Sequence, residues 1–342
     1  MGVIRTALCM AFASFCMLAG HSAGASEDRP AISIIAPAEL LAAPITKTAI
    51  DDSVRLLRQG FPNRQISLNN RTALVQIVLP RVIPRIDRLP RFARGQTPGY
   101  LVYPDHDYEW RSHRENGRII LTLRTRSFQG VSFALYGLLQ EKLGYRFYHP
   151  KRTLIPCHEK WSLPAHFLFT ATPRFDKKGF HLHTLHPTEL AEQLNDPDYP
   201  GSLAEVKEYV DWLARNQQNV MQFFLLRGVD RKRWITHAQA IVAYAHQRGV
   251  MAGVEISLAM LQQQAFQAIK LLRAYPSFRG QIDHTLSWLF QAKWDFVTIE
   301  PTMGEYLPNL SRSLPQTLDY LLREIAGRYH AKPFVATHVI SE

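Results

Sequence analysis

Two glutamates stand close together after a short apolar run in the last third of the chain. The run occupies residues 296–299, Glu300 follows it directly, and Glu305 comes five positions later, next to Tyr306. Cleavage of a glycosidic bond needs one carboxylic acid beside the leaving oxygen and a second carboxylate as nucleophile, base or cation stabiliser. An aromatic ring nearby can stack on a sugar and raise a carboxyl pKa by excluding water. The spacing therefore predicts acid–base chemistry at the end of a strand.

The residue after Glu300 helps to divide the roles of the two glutamates. Pro301 favours an extended Glu300, which keeps it in the strand on the same face as Thr298. Glu305 is then in the loop beyond, where a proton donor can reach a bound glycoside. We predict Glu305 as the acid and Glu300 as its inward neighbour, which positions substrate or raises the pKa of Glu305. The alternative is that either glutamate caps a loop or pairs with Arg227.

A histidine pair precedes these glutamates in the chain. His181 and His183 alternate on one predicted strand and so point to the same face, as two ligands of one metal ion would. A metal-dependent barrel hydrolase is therefore an alternative. The chain shows no strand-four lysine ligand of the kind such enzymes use, and His338 is the only distant histidine suited to complete such a site. We therefore expect His181 and His183 to contact substrate or to lie in the core, and we expect no metal and no other cofactor.

Three further charged residues are candidates for substrate binding. Arg174 and Arg227 can hold sugar hydroxyls or carboxylates through the paired donors of the guanidinium group, although each could equally brace a loop. Glu255 lies near the end of a second apolar run, at residues 250–260. In α/β barrels the chemistry is found at the carboxyl ends of the strands.

The clearest structural pattern surrounds Glu255. Residues 219–228 and 250–260 are continuous apolar runs, which is typical of strands buried on both faces of a parallel sheet. Between them, residues 231–249 have apolar side chains at helical spacing and end at Gly249. A helical crossover is what two neighbouring parallel strands require. This stretch therefore predicts a strand–helix–strand unit.

The first part of the chain has a different pattern. Asn116-Gly117 lies between two alternating segments and predicts a tight hairpin. Ser127 is suited to cap a helix that ends at Gly144. We expect an α+β domain over residues 30–156 and a linker, rich in proline and aromatic residues, over residues 151–173.

The end of this domain resembles known enzymes. Residues 127–150 (SFQGVSFALYGLLQEKLGYRFYHP) resemble the end of the N-terminal domain of α-glucuronidases and β-N-acetylhexosaminidases, where a glycine-containing helix leads to a Leu-Gly-x-Arg-aromatic strand and a proline. The resemblance extends over residues 43–260 as a pattern of elements. It implies a (β/α)8 barrel after the domain, hydrolysis of poly- or oligosaccharides without a cofactor, and an acid on the fourth strand. Hexosaminidases have an adjacent Asp-Glu pair there, which this chain lacks.

Residues 174–342 predict five strands of such a barrel. The expected strands cover residues 174–186, 219–228, 250–260, 296–299 and 333–340, and the expected helices cover residues 202–217, 231–249, 262–274, 281–290 and 314–329. A closed barrel of this type needs eight strands. We therefore expect an incomplete α/β (TIM-type) barrel in a truncated protein that is inactive by itself. A flavodoxin-like five-stranded sheet is the alternative.

The N-terminus predicts export. Arg5 precedes the apolar residues 7–20, and the small residues 23–25 form a cleavage site, so residues 1–25 read as a bacterial-type signal peptide. We expect a periplasmic or secreted protein without a later transmembrane segment. Cleavage would leave Cys157 as the only cysteine and so allow no internal disulfide.

The composition adds a basic character. The formal net charge of the 342-residue chain is +11, with an excess of arginine between residues 81 and 126. Such a face attracts anionic partners or is simply solvated. No nucleic-acid-binding motif is present, so we expect a carbohydrate partner, with possible envelope contact through the basic face. A non-catalytic carbohydrate-binding or cell-envelope protein is therefore a second functional hypothesis.

Overall fold

The structure is a computed structural model. It describes residues 31–81, 106–182, 190–261, 264–272, 276–302 and 313–336. The predicted signal peptide and residues 82–105 of the arginine-rich stretch lie outside these residues.

The described residues form thirteen strands and eight helices. The strands are β1 (Ile32–Ile35), β2 (Ile66–Leu68), β3 (Val75–Val78), β4 (Tyr108–Glu115), β5 (Arg118–Thr125), β6 (Arg146–His149), β7 (Arg152–Leu154), β8 (Leu168–Ala171), β9 (Gly179–Leu182), β10 (Val220–Phe224), β11 (Met251–Ser257), β12 (Phe296–Glu300) and β13 (Lys332–Val335). The helices are α1 (Ala38–Ala42), α2 (Pro44–Gly60), α3 (Phe128–Glu141), α4 (Ala191–Asn195), α5 (Ser202–Arg215), α6 (Arg231–Gln247), α7 (Phe278–Leu289) and α8 (Leu314–Gly327).

The first sheet belongs to an α+β unit. Its order is β2-β1-β3-β5-β4-β8, with the first four strands parallel and β4 antiparallel to both of its neighbours. The predicted hairpin is present, because Asn116 and Gly117 both have the positive φ angles that a tight turn requires, 47° and 77°. The predicted cap is present too, since the Ser127 hydroxyl accepts a hydrogen bond from the Gly130 amide at 2.9 Å.

The expected linker contains two strands. Residues 151–173 include β7, which pairs with β6, and β8, which forms the edge of the first sheet beside β4. The sheet therefore extends beyond residue 156. Short strands at a sheet edge are specified by their partner strand more than by their own composition, and the proline-rich and aromatic character of this stretch concealed them.

The second sheet has five parallel strands in sequential order. Its order is β13-β12-β11-β10-β9, so every strand pairs with its neighbours in the sequence. A flavodoxin-like sheet would place the first strand between the second and the third, and the observed order contradicts that alternative. The expected strand–helix–strand unit is confirmed as β10, α6 and β11.

One face of this sheet is covered by helices. Right-handed crossovers between sequential parallel strands place all the connecting helices on the same side. The Phe223 ring on β10 accordingly lies 5.8 Å from that of Trp294, which stacks at 6.0 Å on Trp234 of α6. Val297 and Ile299 of β12 are fully buried in the same core. The opposite face of the sheet carries the polar residues described below.

The prediction of a helix over residues 262–274 is wrong. In the described part of that range, residues 264–272 form a loop across the carboxyl edge of the second sheet, with single bridges from Ala265 to Leu226 and from Gln267 to Ser257. The Ser257 amide donates to the Phe266 carbonyl at 2.9 Å, and the Ala268 amide donates to the Ser257 carbonyl at 2.8 Å. These long-range bonds take up the backbone groups that a helix would have paired locally.

The two units are joined by buried charges and share one hydrophobic core. Asp52 of α2 contacts Arg215 of α5 at 2.8 Å, and Arg248, after α6, lies 3.5 Å from the same carboxylate. The Arg248 guanidinium donates to the Tyr136 hydroxyl at 2.8 Å and pairs with Asp211 at 2.9 Å. This network holds α2 and α3 of the first unit against α5 and α6 of the second.

Two other sequence predictions concern transmembrane segments and disulfides. Within the described ranges, none of the helices combines the length and the hydropathy needed to span a bilayer. Cys157 is exposed and unpaired.

Candidate functional site

Four polar side chains form a row across the second sheet, on the face away from the helices. His181 of β9 is level with Gln222 of β10, and Glu255 of β11 is level with Thr298 of β12. Phe224, two residues after Gln222, pairs with Glu255, so strand alternation puts all four polar residues on one face. Each residue comes from a different strand.

Hydrogen bonds connect the row. The Gln222 side-chain amide donates to Glu255 Oε2 at 2.9 Å, and its oxygen accepts from the Thr298 hydroxyl at 3.1 Å. His181 Nε2 lies 2.5 Å from the same Glu255 oxygen, across the strand between them. Gln222 therefore lies at the centre of the group and holds both ends in register.

Burial differs along the row. Glu255 is fully buried, whereas about a third (35%) of the His181 side chain is exposed. A buried carboxylate is costly unless it is hydrogen-bonded to partners, and His181 and Gln222 both supply such contacts. The imidazole is thus held by a buried carboxylate on one side and reaches solvent on the other.

Glu300 lies at the carboxyl end of β12 on the same face, as the alternation with Thr298 predicted. It is level with Ser257 of β11 and fully buried. Its Oε1 accepts from the Thr302 amide at 3.1 Å and from the Thr302 hydroxyl at 2.5 Å. This contact is the loop cap that the sequence analysis named as the non-catalytic alternative for Glu300.

The two buried glutamates are diagonal neighbours on adjacent strands. From the strand spacing and the rise per residue, their Cα atoms are roughly 8 Å apart. Both belong to the carboxyl edge of a parallel sheet, the edge at which α/β barrels bind substrates. The arrangement brings two buried carboxylates and one partly exposed imidazole close together.

The other predicted site residues lie in different places. Arg227 is exposed after β10 at the same edge, where its amide donates to the Gln264 carbonyl at 2.6 Å. Arg174 precedes β9, so it lies at the amino edge, and the structure does not bring it to the group. Glu305, Tyr306 and His183 lie outside the described residues.

Sequence reasoning missed Gln222 and Thr302. A polar residue inside the apolar run of β10 was a signal for Gln222, since a side chain of that kind on a buried strand needs a partner. No comparable sequence pattern pointed to Thr302, because its contact with Glu300 depends on how the chain turns after Pro301.

No metal cluster is found in the described ranges, where no three His, Cys, Asp or Glu side chains lie close enough to share an ion. Neither His183 nor His338 belongs to those ranges, so the expectation of no metal and no cofactor stays a prediction.

Comparison with known proteins places the fold. No family model matches the sequence, and no curated protein does. Among solved structures, the chain is similar to the Streptomyces coelicolor A3(2) GH20 β-N-acetylhexosaminidase, with a TM-score of 0.56, 13% identity, and coverage of 90% of this chain and 62% of that one. The chain shares its fold with glycoside hydrolases.

Two further structures support this statement. A point variant of the Streptomyces plicatus β-hexosaminidase in complex with GlcNAc gives a TM-score of 0.55 at 14% identity, with coverage of 90% of this chain and 61% of that one. The GH115 4-O-methyl-α-glucuronidase BtGH115A gives 0.53 at 10% identity, with coverage of 89% and 41%. These are the two enzyme types that the motif at residues 127–150 predicted. The chain spans about three fifths of the hexosaminidases' length and about two fifths of the glucuronidase's.

Proposed function

We propose that this protein is a glycoside-hydrolase-like protein acting on glycosidic bonds of oligo- or polysaccharides. The observation that carries the proposal is the pair of buried carboxylates, Glu255 and Glu300, on adjacent strands of a sheet shared with β-hexosaminidases. Glycoside cleavage passes through a cationic sugar, which carboxylates stabilise.

Each residue of the group has a proposed role. A sugar ring lies on the polar face, where His181 and Gln222 donate to its hydroxyl groups. Glu255 is a positioning residue, because it holds the imidazole in place. Glu305 protonates the leaving oxygen as the bond from the sugar carbon breaks, and Glu300 stabilises the cation. Water then adds to the sugar carbon and gives a proton back to the Glu305 carboxylate. Arg227, His183 and Tyr306 complete the substrate contacts in this proposal.

We propose further that the five strands are the first five of an eight-stranded barrel. In the described residues the second sheet has two edge strands, β9 and β13, and the β13 side chains Phe334 and Val335 are half-exposed. Exposed apolar edges call for additional strands. We propose that these five strands by themselves bind sugar weakly and do not turn it over.

An assay with binding and turnover readouts tests these points. The chain is incubated with aryl β-N-acetylglucosaminides and aryl α-glucuronides, and the binding of the free sugars is measured by titration calorimetry. We expect weak binding that is lost in His181→Ala, without hydrolysis. Turnover by this chain would contradict the proposed inactivity, and failure to bind any of these sugars would contradict the proposed function.

A second candidate function is favoured by the Thr302 contact. Because Thr302 holds Glu300 as a loop cap, the carboxylate could serve structure alone, as in a non-catalytic carbohydrate-binding protein. Sugar binding that survives both Glu300→Gln and Glu305→Gln would support this candidate over the enzyme.

Export and envelope contact are further proposals. We propose that residues 1–25 are a cleaved signal peptide, that the protein is periplasmic or secreted, and that the arginine-rich stretch at residues 81–126 contacts the envelope surface. N-terminal sequencing of the protein from the periplasmic fraction should begin at Ser26.

A further inference from the structure

A cavity lies in the first unit, on the sheet that does not carry the candidate site. Its volume is about 240 Å³, and its floor is formed by Ile32, Val75 and Ile119. These residues are level with one another on β1, β3 and β5, at the amino edge of the six-stranded sheet. Pockets for drug-sized ligands measure about 300–1,000 Å³, so this cavity suits a smaller group such as a single sugar ring.

The cavity also has an aromatic wall and two cationic walls. Trp161 lines it and stacks on Phe61 at a centroid distance of 6.0 Å, which fixes the indole in place. Arg64 and Arg114 line it as well. The Arg64 guanidinium is held by two hydrogen bonds to the Glu159 carbonyl, at 2.9 and 3.2 Å. Those bonds orient the group, and no carboxylate of the described residues forms an ion pair with it.

Among the described residues, the positive charge at this edge is not neutralised by an ion pair. Across the part of the chain that the structure describes, Arg64, Arg114 and Arg118 make no ion pair with any carboxylate. The hairpin's own acid, Glu115, is opposite Arg118 in the register but lies 3.6 Å from His113 instead. Arg118 donates to the Arg71 carbonyl at 3.1 Å. An anion that enters the cavity therefore meets the Arg64 guanidinium already in position, with Arg114 beside it.

We propose that this cavity binds an acidic sugar, a uronic acid residue of an oligo- or polysaccharide. A guanidinium matches a carboxylate with paired donors. The indole face and the aliphatic floor suit the apolar C–H face of a pyranose ring. The site is separate from the carboxyl edge of the second sheet and would anchor an anionic glycan to the first unit.

Titration calorimetry with trigalacturonic acid tests the proposal, and its methyl ester is the uncharged control ligand. At low salt we expect the acid to bind about tenfold more tightly than the ester, since the ester loses the charge-assisted hydrogen bonds. Added NaCl should weaken the binding of the acid only. Equal affinity for the acid and the ester would overturn the proposal.

Two variants locate the site. Arg114→Gln should weaken binding of the acid about tenfold. Arg126→Gln removes the same charge from an exposed, unpaired arginine at the opposite end of the same sheet and should leave binding unchanged. Equal effects of the two variants would show a diffuse charge effect and overturn the proposal. The readout is binding, and Glu300→Gln should not alter it, so failure of the proposed enzymatic function leaves this test intact.

Discussion

The Nε2 atom of His181 lies 2.5 Å from Oε2 of Glu255, although the two residues belong to strands that are not neighbours in the sheet. Gln222, on the strand between them, donates to the same carboxylate oxygen. The contact therefore depends on the register of three strands. The two side chains also differ in burial, because Glu255 is fully buried and His181 is partly exposed.

Removal of His181 should cost more stability than neutralisation of Glu255. His181→Ala takes the imidazole away from a fully buried carboxylate, for which we expect about 1–3 kcal/mol of destabilisation. Glu255→Gln removes the buried charge, and the imidazole can still turn to water, so its effect should be smaller. Urea unfolding of both variants and of the double variant gives the coupling energy. A larger loss for Glu255→Gln would contradict the proposed order.

The hydroxyl of Thr302 should be needed to hold Glu300. Thr302→Val keeps the side-chain shape but removes the donor at 2.5 Å, and we expect about 1–2 kcal/mol of destabilisation. Thr302→Ser keeps the donor and is the matched control. Both are measured by urea unfolding. Equal stability of the two variants would mean that the hydroxyl does not support the carboxylate.

Neutralisation of Asp52 should destabilise the contact between the two units. Asp52→Asn removes one of the two carboxylates, Asp52 and Asp211, that Arg215 and Arg248 share, and breaking a buried pair costs about 3–5 kcal/mol. The neighbouring Asp51 pairs with Lys47 at the surface, so Asp51→Asn should cost less than about 1 kcal/mol. The free energy of unfolding of the two variants is compared. Similar losses would show that the buried network is not stabilising.

The same network predicts acid sensitivity. Burial alone would raise the pKa of Asp52, but Arg215 and Arg248 lower it well below the ordinary value. A hydrogen bond with His106 likewise lowers the pKa of Asp176 from 3.8 to about 2. A lowered folded-state pKa means that the stabilisation is complete above the unfolded pKa of about 3.9 and is lost as the pH falls below it.

Asp52→Asn should remove part of this pH dependence. The midpoint urea concentration of the wild-type chain should decrease as the pH is lowered from 5 to 3. That of Asp52→Asn should decrease less over the same range. Parallel curves for the two proteins would rule out Asp52 as a source of the acid sensitivity.

Gly179 should not tolerate a side chain. A Cβ atom there would run into the backbone carbonyl of Val220 on the paired strand, which cannot move aside. Gly179→Ala should destabilise the chain by about 1–3 kcal/mol through overpacking and should loosen β9, the strand that carries His181. Gly228→Ala, where a Cβ meets nothing within 4 Å, is the control. Thermal unfolding of both variants measures the difference.

The sequence by itself determined the local elements of this protein. The hairpin at Asn116-Gly117, the helix capped by Ser127, and the strand–helix–strand unit around Glu255 are all present as predicted. The strand alternation that puts Glu300 beside Thr298 on the polar face was also readable. Each of these depends on residues close together in the chain, whose backbone preferences and side-chain periodicity act without a partner from elsewhere.

Only the tertiary structure decided which distant residues meet. The loop at residues 264–272 is not a helix, because its backbone groups pair with Ser257 and Leu225, and β8 joins the first sheet through β4. The contact of His181 with Glu255 and the burial of Asp52 between two arginines come from strand register and from helix packing between the units. Such contacts are set by the packing of the whole chain, so residues far apart in the sequence determine them jointly and no local pattern records them.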